Sequence, residues 1–328
     1  MKNHPECALS LLGSISNRHG GIRFLKIEEN RLLLVEHTSP ARYICLSHCW
    51  GSGEGIIRTT TSNLHAHLEG GIPLTTLPAT FRDAVEVCRS LKILYLWLDS
   101  LCIVQDSDED WREQSAKMAD IYANASITIA ASASENATRG LFRVTDPKYL
   151  GGPLPGHTGV YVRLETEAGE ETWPLLRRAW VFQELVLSPR LVHFGTNEVV
   201  WQCQRIVERE SRQLPPNTSF SHSTRYLQKI IDTKRLLQSE HADLTHVWHG
   251  VVMSYSRGWL TYSKNRLPAI AAMARIMQSL RPNDVYLAGL WQSNLYLDLL
   301  WHCWHGSAEH SGDIPTAIER RITVGVPT

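Results

Sequence analysis

The segment ILYLWL, residues 93–98, runs directly into Asp99, Ser100 and Cys102. Six mostly apolar residues are too few for a typical helix and rich in strand formers, so they read as a buried strand. A carboxylate, a hydroxyl and a thiol at its carboxyl end are costly in a core and suited to a site. The flanking patterns fix the kind of sheet. RLLLVE, 31–36, reads as a strand, and ARYICLSHCWG, 41–51, as a second, buried one. Thr75, Thr76 and Pro78 mark a helix start, because proline is tolerated in a first turn. Leu77, Phe81, Val85, Cys88 and Leu91 then form one apolar stripe at helical spacing. Trp111, Ser115, Met118 and Tyr122 line a second helix, and SITIAAS, 126–132, is a third strand.

Strand, helix, strand, helix, strand in this span predicts an α/β parallel sheet with right-handed crossover helices. Ligands bind such sheets outside the carboxyl ends of the strands. Ser47 to Gly51 and Asp99 to Asp106 both fall there. Beyond them, 135–172 reads as an irregular excursion with one strand at VYVRLE. LLRRAWVFQELVL, 175–187, reads as a helix stopped by Pro189, and RLVHF with EVVWQC as a hairpin. The expected organisation is a lead-in with a strand over 1–40, an α/β domain over 41–205, a linker over 206–225 and a mostly helical C-terminal region over 226–328.

Thirty-three basic side chains balance thirty-three acidic ones, which argues against nucleic acid or an anionic membrane surface as main partner. No apolar run approaches a membrane span of roughly 18–20 residues. Seven scattered cysteines fit reduced thiols, hence cytosol or nucleus, better than a disulfide framework.

Several residues admit both a structural and a chemical role. Asp99 either caps or pairs, with Arg178 as a candidate partner, or faces a ligand. Cys102 with His48 offers a thiol–imidazole pair that Asp99 would orient, against the commoner role of a buried thiol as a small apolar group. Cys45, His48 and Cys49 lack the spacing of a metal site, because 45 and 49 share one strand face and 48 the other. Glu113 follows Asp110 by three, as in a capping box, and is also a candidate acid. Arg178 pairs with Asp99 or Asp106, or holds a phosphate. No G-x-G-x-x-G and no P-loop is present.

Three segments together resemble the HET domain, the heterokaryon-incompatibility domain of filamentous fungi. YICLSHCWG resembles its Y-x-x-L-S-Y-x-W-G motif, with His48 in place of the usual Tyr. The block from LPATFRDAVEVC to SITIAAS resembles the long central motif, with Lys92 where Gly is usual. PLLRRAWVFQELVLSPRLVHFGTNEVVWQC resembles the third, with its R-x-W-x-x-Q-E core. The resemblance implies a cytoplasmic fungal protein of nonself recognition and programmed cell death that acts through association with protein partners, itself included. It also implies similarity to TIR domains, flavodoxin-like sheets of which some cleave NAD. That brings in an alternative: an enzyme on the same sheet, either an NAD glycohydrolase using Glu113 or a thiol enzyme using Cys102. Ser47, Trp50, Gly51, Asp106 and Arg178 would then line a small-molecule site, with NAD as a possible substrate rather than a bound cofactor.

Overall fold

The structure, a computed structural model, describes residues 21–37, 42–51, 56–162, 173–210, 222–239 and 241–300. In chain order the main elements are β1 (Ile22–Ile27), β2 (Arg31–His37), β3 (Ile44–Ser47), α1 (Leu64–Glu69), β4 (Ile72–Pro73), α2 (Ala79–Ser90) and β5 (Tyr95–Trp97). Then come a single helical turn α3 (Asp99–Cys102), α4 (Asp108–Asn124), β6 (Ile127–Ala130), α5 (Pro147–Leu150), β7 (Gly152–Pro153) and β8 (Tyr161–Val162). The remainder is α6 (Ala179–Leu187), β9 (Arg190–Phe194), β10 (Val199–Cys203), β11 (Val207–Arg209), α7 (His222–Leu237), α8 (Leu244–Tyr255), α9 (Ala271–Leu280), β12 (Tyr286–Leu287), β13 (Leu290–Trp291) and α10 (Leu295–Asp298).

Nine strands form one sheet in the order β11-β10-β9-β6-β3-β5-β1-β2-β4. Its centre, β5-β3-β6-β9, is parallel, and both flanks are antiparallel. Numbered by their own sequence, the four parallel strands run 2-1-3-4, the order that begins a flavodoxin-like sheet. All four residues of β3 are buried, as a central parallel strand covered on both faces requires. Alternate side chains show which helix covers which face. The Cys45 thiol approaches the Ile121 carbonyl of α4, and Ser47 reaches Glu184 of α6. His48 instead sets its ring edge-on to Phe81 of α2, with centroids 5.0 Å apart. So α4 and α6 lie on one face and α2 on the other, as right-handed crossovers demand when β3 to β5 steps one way across the sheet and β5 to β6 and β6 to β9 step the other.

The expected lead-in over 1–40 supplies β1 and β2 to this same sheet, through the pairing of β1 with β5. The hairpin expected from RLVHF and EVVWQC is β9–β10, and β11 extends it into the segment read as a linker, of which 211–221 lie outside the described residues. VYLAGLWQSNLYLDLLW, expected to be helical, begins instead with the β12–β13 hairpin. Ala288 and Gly289 take positive φ (50° and 110°) at its turn. An Ala-Gly turn flanked by Leu and aromatic residues carries helix-like periodicity, and that masked it. One apolar cluster runs from Phe24 through Phe81, Trp97 and Phe182 to Trp248 and Trp291, so the C-terminal helices share the core of the sheet. Among the described residues no helix is long and apolar enough to cross a membrane.

Lys92 has φ 54°, in the left-handed region. Its N–H bonds to the Arg89 carbonyl and that of Ile93 to the Cys88 carbonyl, the two bonds of a Schellman motif closing α2. A side chain there meets the Cβ strain that glycine avoids. Lys92→Gly should therefore raise stability by about 0.5–1 kcal/mol in urea denaturation. Loss of stability would show that the Lys92 side chain makes a compensating contact.

Candidate functional site

Three segments distant in sequence meet at the carboxyl ends of the parallel strands. β3 delivers Ser47 and, just beyond it, His48, Trp50 and Gly51. Gly51 needs its lack of a side chain, because φ is +70° and a Cβ would lie 2.7 Å from Asn136 Cβ. The end of β5 delivers Asp99, the first residue of α3. The start of α6 delivers Arg178, and its interior Glu184.

Asp99 is held by neutral donors. Trp50 Nε1 donates to both carboxylate oxygens, at 3.0 and 3.2 Å, and the Ser100 N–H donates at 2.7 Å. His48 Nδ1 stands 3.9 Å from Asp99 Oδ1. Burial depresses the His48 imidazole to about 4, against the pull of Asp99, so the ring is neutral at pH 7. Its Nε2 is buried without a hydrogen-bond partner, as is the Ser100 hydroxyl. Arg178 donates from Nη1 to the His48 carbonyl. The expected pairing of Arg178 with Asp99 or Asp106 is not formed. Asp106 sits outside the cluster, accepting from the N–H and hydroxyl of Thr61, each at 2.8 Å.

Beneath this rim lies Glu184, fully buried, accepting the Ser47 hydroxyl at 2.5 Å and a bond from Tyr122. Desolvation pushes its carboxyl up to about 7, with Arg178 and the Ser47 bond pulling the other way. The helix expected to run unbroken from 175 is interrupted. Residues 174–177 form a 3₁₀ turn, Arg178 is extended (φ −88°, ψ 128°), and α6 begins at Ala179. The break is made from outside. Trp259 N–H donates to the Arg177 carbonyl and Ala179 N–H to the Trp259 carbonyl, a parallel bridge across Arg178. Gly258 allows this approach: a Cβ there would stand 2.5 Å from Ala179 Cα and 2.6 Å from its nitrogen. The Arg177 guanidinium lies over the Trp259 ring, 5.7 Å from its centroid.

Glu113 is not brought into the cluster. It is exposed and pairs with Lys117 four residues on, at 2.5 Å. Nor do Asp110 and Glu113 make a capping box. Ser107 is the N-cap, its hydroxyl accepting the Asp110 N–H at 3.2 Å, and Glu113 lies a turn further in. Asp110 instead anchors β1 to this turn, taking Arg23 Nη2 at 2.5 Å and the Val104 N–H at 2.7 Å. Cys102 is buried, and desolvation pushes its thiol up to about 12, so it offers no thiolate at neutral pH. The thiol–imidazole pair with His48 therefore lacks both its charged partners. Glu184, Tyr122 and the Gly258–Trp259 loop complete the cluster without a sequence signal of their own, apart from the E of R-x-W-x-x-Q-E.

The domain is thus an α/β sheet with an acid–arginine–tryptophan cluster at its carboxyl edge. The family model of the heterokaryon incompatibility protein (HET) matches residues 43–184, from the residue before β3 to the buried glutamate. Residues 43–184, a little under half of the chain, thus match the HET domain, a family whose function is related to heterokaryon incompatibility. No curated protein and no solved structure matches the chain.

Proposed function

We propose that the chain is a cytoplasmic fungal protein of nonself recognition and programmed cell death, acting through association with protein partners, other copies of itself included. The HET domain supports this reading. The observation that carries it is the convergence of the three motif segments on one cluster, where Ser47 bonds Glu184, the His48 carbonyl takes Arg178 and Trp50 holds Asp99, so that β3 and the residues after it tie the other two segments into a network. A network of this kind makes the edge a single unit whose arrangement a partner or ligand can bias. The enzyme reading gains nothing from Glu113 or Cys102, since one is paired at the surface and the other is a buried neutral thiol.

The test is induced expression of the full chain in a filamentous fungus, with viability scored beside light scattering of the purified protein. Growth arrest with concentration-dependent assembly is expected, both weakened in Arg178→Lys. Incubation with NAD, following nicotinamide release, separates the second reading. Turnover lost in Glu113→Gln at an unchanged melting temperature would replace association by catalysis.

A further inference from the structure

We propose that the rim between Asp99 and Arg178 binds a small hydroxylated oxyanion of the sugar-phosphate or sugar-acid class, its oxyanion on Arg178 and its hydroxyls on Asp99. This rests on reading the cluster as the working site of the domain. Opposite charges on one rim ordinarily pair, and these do not. Asp99 is fixed by an indole N–H and a backbone N–H, and Arg178 by a carbonyl. No ion pair joins Arg178 to any described carboxylate. Among the described residues, only one of the five guanidinium N–H groups is committed to a hydrogen bond. The rest keep the planar fork that matches phosphate or carboxylate oxygens two at a time.

Two further groups at Asp99 point to a missing partner. The Ser100 hydroxyl, on the residue whose N–H binds this carboxylate, is buried and unpartnered. So is His48 Nε2, on the ring whose other nitrogen lies 3.9 Å from Asp99. Buried polar atoms are almost always satisfied, so two orphans on residues next to one carboxylate are unusual and single out this end of the sheet. A simple anion would answer Arg178 but meet the Asp99 charge, and a simple cation the reverse. A ligand with an oxyanion and adjacent hydroxyls answers both. The half-buried Trp50 beside Asp99 adds an apolar wall for the ring. The location, outside the carboxyl ends of adjacent parallel strands, is where such sheets take small ligands.

Calorimetric titration of the full chain with ribose 5-phosphate, gluconate, ribose and inorganic phosphate tests this. At least one of the two bifunctional probes should bind about tenfold or more tighter than ribose or phosphate alone. Which of the two binds identifies the oxyanion. Asp99→Asn should abolish the advantage over inorganic phosphate. Arg178→Lys, which keeps the charge but loses the fork, should weaken binding by about tenfold. Trp50→Phe, which removes the indole N–H holding Asp99 and keeps a smaller aromatic wall, serves if either variant melts early, and should weaken binding likewise. Bifunctional probes that bind no better than their fragments, or variants that bind like the wild type, overturn the proposal. Absent probe binding with killing intact removes the ligand and leaves the association reading. Probe binding with killing indifferent to these substitutions does the opposite.

Discussion

Gly258→Ala should cost the protein about 3 kcal/mol, read as a shift of the urea midpoint at unchanged slope. The added methyl meets backbone rather than a pliable side chain: Ala179 Cα at 2.5 Å and Ala179 N at 2.6 Å. Relief requires the Gly258–Trp259 segment to back away. That stretches the two hydrogen bonds bridging Arg178 and frees it from its extended conformation. Cluster properties should therefore fail along with stability, although residue 258 lies well beyond the matched HET segment. A variant as stable as the wild type would mean that the loop settles elsewhere, and the bridge would lose its positioning role.

The second large effect is a change in pH dependence at Glu184. Its carboxyl is raised from 4.5 to about 7 by burial, so the native state holds a proton that the unfolded chain has released. Stability from this group therefore falls as pH rises from 4.5 to 7, by about 3 kcal/mol in all. Two histidines oppose it. His48 and His193 are both depressed from 6.5 to about 4 by burial, so they favour folding above 6.5 and withdraw that support as pH falls towards 4. Glu184→Gln removes only the first contribution and keeps an oxygen to accept from Ser47. The stability difference between variant and wild type should shift in favour of the variant by about 3 kcal/mol between pH 4 and pH 8. Denaturation curves at stepped pH measure it, and parallel profiles would show that Glu184 ionises normally in the fold.

The parallel centre of the fold was legible because its signals are local. The stripe Leu77, Phe81, Val85 and Cys88 is buried as its spacing requires, and ILYLWL supplies β5. Antiparallel neighbours were harder. Nothing in Arg23 or Leu25 says that β1 lies beside β5 rather than ahead of a separate domain; the pairing is set by the three-dimensional edge that β5 leaves open. In the site, Asp99 and Trp50 were readable as polar groups at strand ends. Their bond to each other was not, since a separation of 49 residues leaves no periodic trace. Arg178 was read as helical because its neighbours are, and only the bridge to Trp259 makes it extended. Glu113 was misleading because Asp-x-x-Glu carries the same spacing whether it caps a helix or, as here, lies inside one already capped by Ser107.

The antiparallel flanks have a consequence for how copies can meet. A sheet normally recruits another chain by offering a long unpaired border strand as template. Here one border is β4, two residues of which the second is proline, and the other is β11, only three residues long. Proline offers no N–H to a newcomer, and three residues give too short a ladder to hold one. Among the described residues, neither border strand is thus a good template for strand addition. Under the association proposed above, recruitment of further copies would proceed through helix faces and loop side chains, a kind of contact that can be made and undone without the lock-in of a shared fibril backbone.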